Sequence, residues 1–114
     1  MRIEELDTPA LLIDREILES NLQWMQDYAN RNHVALRPHT KTHKMPAIAQ
    51  RQMDLGACGI AVAKVGEAEV MAEQGLRDIL IANEIVGQRK LQRIAALRRA
   101  GCTVSFGVDA PCQV

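Results

Sequence analysis

The sequence predicts an α/β fold that forms the N-terminal half of a (β/α)8 TIM-like barrel, and three observations predict it. Stretches with apolar residues at helical spacing alternate with short apolar runs. Glycines at Gly56, Gly75 and Gly101 close three of the helical stretches, and an apolar run follows within a few residues. The runs GIAVA and ILIA have no polar alternation, as strands covered on both faces do. Right-handed crossovers turn such a series into a doubly wound sheet or a barrel. Neither G-x-G-x-x-G nor G-x-x-x-x-G-K-[ST] occurs, so the open sheet lacks its nucleotide-binding signatures and the barrel is favoured.

Residues 1–13 are expected to be an N-terminal strand segment that would join a C-terminal β domain absent from the chain. Residues 14–114 are expected to form a partial barrel domain of one helix and about four strand–helix units. Asp14 opens the first helix, because its side chain can accept from the orphan amides of the next turn. Leu18, Leu22, Met25 and Ala29 form its inward stripe, and Trp24 and Tyr28, one turn apart, are placed against the barrel exterior. The helix ends near Asn30 to Asn32. VALRPHTK follows as an extended run with Pro38 inside it, and then a helix starts near Pro46 and stops before Gly56.

The second unit runs from CGIAVA into a helix over about Glu67 to Gln74, with Ala68, Met71 and Ala72 inward. DILIAN leads into a helix holding Leu91, Ile94 and Ala95, and TVSFGV is the last strand. A complete barrel needs about 250 residues, so the chain, stopping at GVDAPCQV soon after a strand, reads as an interrupted protein. Half a barrel should expose residues such as Ile60, Val62, Leu80 and Phe106 or their neighbours on one side. That face is expected to be covered by a homodimer partner or by missing chain.

Fourteen Lys plus Arg balance fourteen Asp plus Glu, and only 3% of residues are aromatic, so no basic field with stacking platforms awaits a nucleic acid or an acidic membrane. No segment approaches the roughly 20 apolar residues of a membrane span. The start MRIEELDTPALLID lacks the layout of a signal peptide, so a cytoplasmic location is the default expectation. Cys58, Cys102 and Cys112 are odd in number and form no C-x-x-C, which argues against a disulfide framework or a cysteine zinc site and for small buried or half-buried thiols.

The chemically dense segment is Arg37-Pro38-His39-Thr40-Lys41-Thr42-His43-Lys44, at the end of the first barrel-like strand. Alternation with period two puts Arg37, His39 and Lys41 on one face, at the strand end where barrel enzymes keep their chemistry. Neighbouring positive charge and partial burial would both disfavour the ammonium form of Lys41 and leave a nucleophilic amine. The same field would suit a phosphate-bearing cofactor. His39 and His43 are four apart, a spacing that binds a metal only on a helix, and Pro38 places them astride a strand end, so no metal site is assigned to them. His33 is read as a surface or cap residue, and Arg93, Arg98 and Arg99 as a solvated helix face. Lys64 is read as solvated or at the site mouth, and Asn83 and Glu84 as pocket-rim groups.

LRPHTKTHK resembles the cofactor-lysine segment of the D-threonine aldolase and D-serine dehydratase family, pyridoxal-phosphate enzymes with an alanine-racemase-like barrel of fold type III. DTPALLID resembles the family's start, and ILIANEIVG resembles its aldolase branch at the third strand. The resemblance spans essentially the whole chain. It implies that Lys41 forms the Schiff base with pyridoxal 5'-phosphate, with Arg37 and His39 as cofactor-binding neighbours. It also implies a retro-aldol cleavage of D-threonine to glycine and acetaldehyde, a small D-amino acid being the substrate. A divalent metal, Mn or Zn, is implied too, but its ligands and the phosphate loops come from later strands and a C-terminal β domain that this chain does not contain. A dehydratase acting on D-serine or D-3-hydroxyaspartate, a B6-binding protein and an inactive fragment are the alternatives. The 114-residue piece by itself is expected to be inactive.

Overall fold

Helices and parallel strands alternate in the computed structural model, which describes residues 2–113. The helices are α1 (Arg15–Arg31), α2 (Pro46–Asp54), α3 (Val65–Glu73) and α4 (Gln88–Arg99), and the strands are β1 (Ile60–Val62), β2 (Asp78–Glu84) and β3 (Thr103–Gly107). The strands form one parallel sheet in the order β1-β2-β3. The alternation expected from the sequence is present, and each parallel crossover carries a helix, as such a connection requires.

Asp14 caps α1: its Oδ1 accepts the Ile17 N–H at 3.0 Å, a bond worth about 1 kcal/mol. The inward stripe is Leu18, Leu22, Gln26 and Ala29, whereas Met25 is 39% exposed. Gln26 displaces Met25 from that stripe because its amide lies over Gly56, 3.5 Å from where a Cβ would stand, and donates to Asn30 Oδ1 at 3.0 Å. A glycine's bare surface thus accommodates a polar side chain. Trp24 and Tyr28 stack on each other with centroids 5.6 Å apart. At 61% and 47% exposure they face solvent rather than the barrel wall.

The extended run before Lys41 forms no regular strand. Pro38 has no N–H to give a ladder, so residues 34–39 join β1 through Cys58 N–H to Leu36 O (2.9 Å), Ala61 N–H to Pro38 O (2.8 Å) and a single parallel bridge, His39 with Ala61. Residues 2–13 hold a 3-10 turn at Ile3–Glu5 and no strand among the described residues. A strand needs a partner to complete its hydrogen bonds, and among the described residues none pairs with them.

Register sorts the side chains onto two faces. Ile60, Val62, Ile79, Ile81 and Val104 are buried with Val65, Ala68, Met71, Ala72, Ile94 and Leu97 in the core between sheet and helices. Ile60 and Val62, expected on the open face, lie instead in this helix-covered layer, with Phe106 packed against it. The open face carries their neighbours His39, Ala61, Leu80 and Ser105, side by side in register. In α4 the buried positions are Ile94 and Leu97, and Ala95 is exposed, because the α4 face on the core follows the three-residue step from Leu91. Gly75 and Gly101 end α3 and α4 at φ 94° and 86°, a left-handed backbone that costs glycine nothing. Cys58 is exposed and Cys102 buried; the side chain of Cys112 lies outside the described residues. No helix among the described residues is long and apolar enough to cross a membrane.

Candidate functional site

Lys41 sits in a 3-10 turn, Thr40–Thr42, directly after His39, on the open face at the carboxyl end of the strands. The turn is pinned on every side. Thr40 is 1% exposed, and its hydroxyl donates to Ala61 O at 3.2 Å. His39 Nδ1 accepts the Lys41 N–H at 3.2 Å, and Thr40 O accepts from His43 N–H at 3.3 Å and Lys44 N–H at 2.7 Å. Lys44 takes φ 52°, a conformation uncommon for a residue with a Cβ. The Lys41 side chain itself is exposed, and it enters no ion pair among the described residues.

Arg37 shares the open face with His39, but its guanidinium points to the start of the strands. Nη1 donates to Asp78 Oδ1 at 2.7 Å, Asp78 O at 3.3 Å and Ile60 O at 3.4 Å. It fills the space over Gly59 where a Cβ would lie 2.1 Å from Nη1. The hydrogen bond that Arg37 donates to Asp78 raises the Arg37 pKa, against the opposing effect of burial. The three groups expected to converge therefore occupy two levels: Arg37 beside the first residues of β1 and β2, and Lys41 beyond the far end.

The surrounding charge is also more balanced than the sequence suggests. Asp78 matches Arg37, and Glu67 Oε1 lies 3.6 Å from Lys44 Nζ. The Lys41 side chain is exposed rather than partly buried, and of the cations near it in sequence Arg37 and Lys44 each face a carboxylate. Burial lowers the pKa of His43, with the Gln52 side chain offsetting it in part. His43 Nδ1 accepts the Met45 N–H at 3.0 Å, while its Nε2 is buried without a partner.

The remaining candidates are spread around this turn. Lys64 is exposed at the N-cap of α3, and Asn83 Nδ2 donates to Ala63 O at 3.3 Å, closing the end of β1 against β2. Glu84 is exposed, and His33 is an exposed residue with φ 56° after α1. Arg93 is not merely solvated: it forms an ion pair with Glu69 across the α3–α4 contact. Asp78, Thr40 and Glu67 are the residues that sequence reasoning missed. The partners Arg37 of Asp78, Ala61 of Thr40 and Lys44 of Glu67 all lie more than twenty residues away, and no local spacing announces such pairing.

The donor set suits a carbonyl-bearing cofactor at one point: a primary amine on a pinned turn, unpaired among the described residues, at the strand end. The residues do not suit a metal. Among those described, no group of three or more His, Cys, Asp or Glu could hold an ion. His39 and His43 each spend Nδ1 on a backbone amide.

A family model described as alanine racemase, N-terminal domain, matches residues 13–106. A D-threonine aldolase from Arthrobacter sp is 48% identical over 107 residues, which are 94% of this chain and 28% of that protein. The crystal structure of D-threonine aldolase from Filomicrobium marinum is 48% identical and superposes with a TM-score of 0.94, covering 97% of this chain and 30% of that one. D-threo-3-hydroxyaspartate dehydratase from Delftia sp. HT23 is 38% identical with a TM-score of 0.89, covering 96% of this chain and 28% of its own. The chain thus spans between a quarter and a third of the length of these relatives.

Proposed function

The chain belongs to the family of the alanine racemase N-terminal domain, and on that premise we propose that it is the N-terminal part of a pyridoxal-phosphate-dependent D-3-hydroxy amino acid aldolase. Its reaction is the cleavage of D-threonine to glycine and acetaldehyde. The observation that carries the reading is Lys41: an exposed amine, in no ion pair among the described residues, on a turn fixed to the end of β1. The 48% identity to a D-threonine aldolase, against 39% to a 3-hydroxy-D-aspartate aldolase and 40% to a D-threo-3-hydroxyaspartate dehydratase, supports the D-threonine aldolase reading in particular.

Pyridoxal phosphate, when bound, supplies the electron sink for breaking the Cα–Cβ bond. The chain's own residues prepare its seat. Lys41 offers Nζ as the amine that holds the aldehyde. His39 shares the open face beside Ala61, and its bond from the Lys41 N–H fixes the direction in which that side chain leaves the turn. Arg37 belongs to the cofactor's surroundings as the floor beneath it, tied to Asp78 rather than reaching for a phosphate. The described residues form no group of three or more His, Cys, Asp or Glu for the divalent metal that the resemblance implies, whose ligands would come from further chain. The open face with Leu80 is read as covered by a second copy or by further chain, and light scattering that reports dimers or larger species supports that part of the reading.

Incubation with pyridoxal phosphate, borohydride reduction and peptide mapping test the site. The pyridoxyl group is expected on Lys41. Label on Lys44 or Lys64 instead overturns the assignment.

A further inference from the structure

Ala63 follows the last residue of β1 and precedes Lys64, the N-cap of α3. Side chains serve both of its backbone groups. Glu67 Oε2 accepts its N–H at 2.8 Å, and Asn83 Nδ2 donates to its carbonyl at 3.3 Å. An acid in the first turn of a helix ordinarily serves the amides at or after the N-cap. Glu67 instead reaches back past it, and its side chain is only 11% exposed.

The second oxygen of Glu67 faces the lysine turn. Oε1 lies 3.6 Å from Nζ of Lys44, the residue that closes the turn through its N–H to Thr40 O at 2.7 Å and holds φ 52°. A single carboxylate therefore joins the residue after β1 to Lys44, two residues past the turn that presents Lys41. Thr40 makes the only other side-chain tie from this turn to β1 among the described residues, through Ala61 O. Without Glu67 the side chain of Lys44 would lose its tie, leaving only the backbone bond to Thr40 O, and an unmatched ammonium would stand three residues from Lys41.

We propose that Glu67 is a positioning residue for Lys41, clamping Lys44 to the end of β1 so that the Lys41 amine is held at the carboxyl end of the sheet. The proposal rests on the reading of Lys41 as the cofactor amine. Glu67 touches neither cofactor nor substrate in this role; it acts through Lys44.

The test follows covalent capture of pyridoxal phosphate by the full chain, in which Lys41 Nζ adds to the aldehyde carbon and a water leaves. Glu67→Gln keeps an acceptor for Ala63 N–H and removes the charge, and Lys44→Met removes the other half of the pair at an exposed position. Each is expected to slow the first-order capture step about tenfold, in keeping with the sensitivity of such steps to small misplacements. The half-saturating concentration should move by less than about twofold, since only positioning is affected. The Glu67→Gln/Lys44→Met double variant should be no slower than the slower single, as for two residues acting as one unit, and Lys44→Arg should retain the native rate. In the unloaded chain, amide exchange at Lys44 should quicken in both single variants, and exchange at Ala63 only in Glu67→Ala. Single variants that capture at the native rate, or effects that multiply in the double variant, overturn the proposal while leaving Lys41 in place. Absence of label on Lys41 in the unsubstituted chain overturns the proposed function and this inference together.

Discussion

Gly59→Ala probes the floor of the site most directly. A Cβ at residue 59 would stand 2.1 Å from Arg37 Nη1, 2.7 Å from Arg37 Cζ and 2.9 Å from the backbone oxygen of Asp78. The guanidinium can swing away, but the carbonyl belongs to the first residue of β2 and moves only with the strand. Overpacking of this kind costs about 1–3 kcal/mol. Displacing Arg37 also forfeits its bond to the Asp78 carboxylate; because the Asp78 side chain is 45% exposed, that loss is held to about 1 kcal/mol. The expected total is about 3 kcal/mol. Equilibrium urea unfolding of Gly59→Ala, Arg37→Ala and the double variant measures it. In the Arg37→Ala background the added methyl should cost only what the Asp78 oxygen imposes, about half the value in the native background. A Gly59→Ala chain within about 0.5 kcal/mol of the native one, the range of an ordinary surface change, would refute the reasoning, because it would mean that Arg37 does not occupy the space over Gly59.

Asp14→Ala removes the acceptor for Ile17 N–H and should destabilise the chain by about 1 kcal/mol, measured by urea unfolding, with faster amide exchange in the first turn of α1. Thr40→Val leaves shape intact but deletes the hydroxyl that bonds Ala61 O; unfolding should show a loss of about 1–2 kcal/mol, and capture of pyridoxal phosphate should slow with it. Burial holds the His43 pKa below its ordinary value of 6.5. The unfolded chain therefore binds the proton first: stability is complete above about pH 6.5 and declines as pH falls towards the folded-state pKa. A His43→Gln variant should flatten the stability profile over that acid window, and an unchanged profile would exclude His43 as its source.

Much of the architecture was legible because it follows from local rules. Asp14, Pro46, Gly75 and Gly101 mark helix ends through backbone groups that any helix must satisfy, and the structure uses each of them so. The inward residues of α3, Ala68, Met71 and Ala72, follow from spacing alone. Illegible parts depended on neighbours distant in sequence. Met25 lost its place to Gln26 only because Gly56 offers a bare surface opposite it. Ile60 and Val62 could be assigned to either face, since a strand of three residues buried throughout carries no alternation to choose between them. At the site, the motif located the Lys41 turn, yet alternation placed Arg37 and Lys41 together where the backbone turns out of the strand after His39 and separates them. The matching of Arg37 by Asp78 and of Lys44 by Glu67 lay beyond any reading of neighbouring residues.

Pro38 denies the segment that carries Lys41 a full backbone ladder, and side chains supply much of the fastening instead: Thr40 to Ala61, Arg37 to Asp78, Lys44 to Glu67. A strand held by a ladder can be shifted only by breaking its register wholesale. A segment held by two backbone bonds, one bridge and three side-chain ties can be adjusted one side-chain tie at a time while the sheet beneath it stays intact. The placement of the Lys41 amine is therefore a graded property of this fold, open to tuning by single substitutions at other positions. In a scaffold that serves both bond cleavage and elimination among its relatives, such ties are natural places for reactivity to diverge.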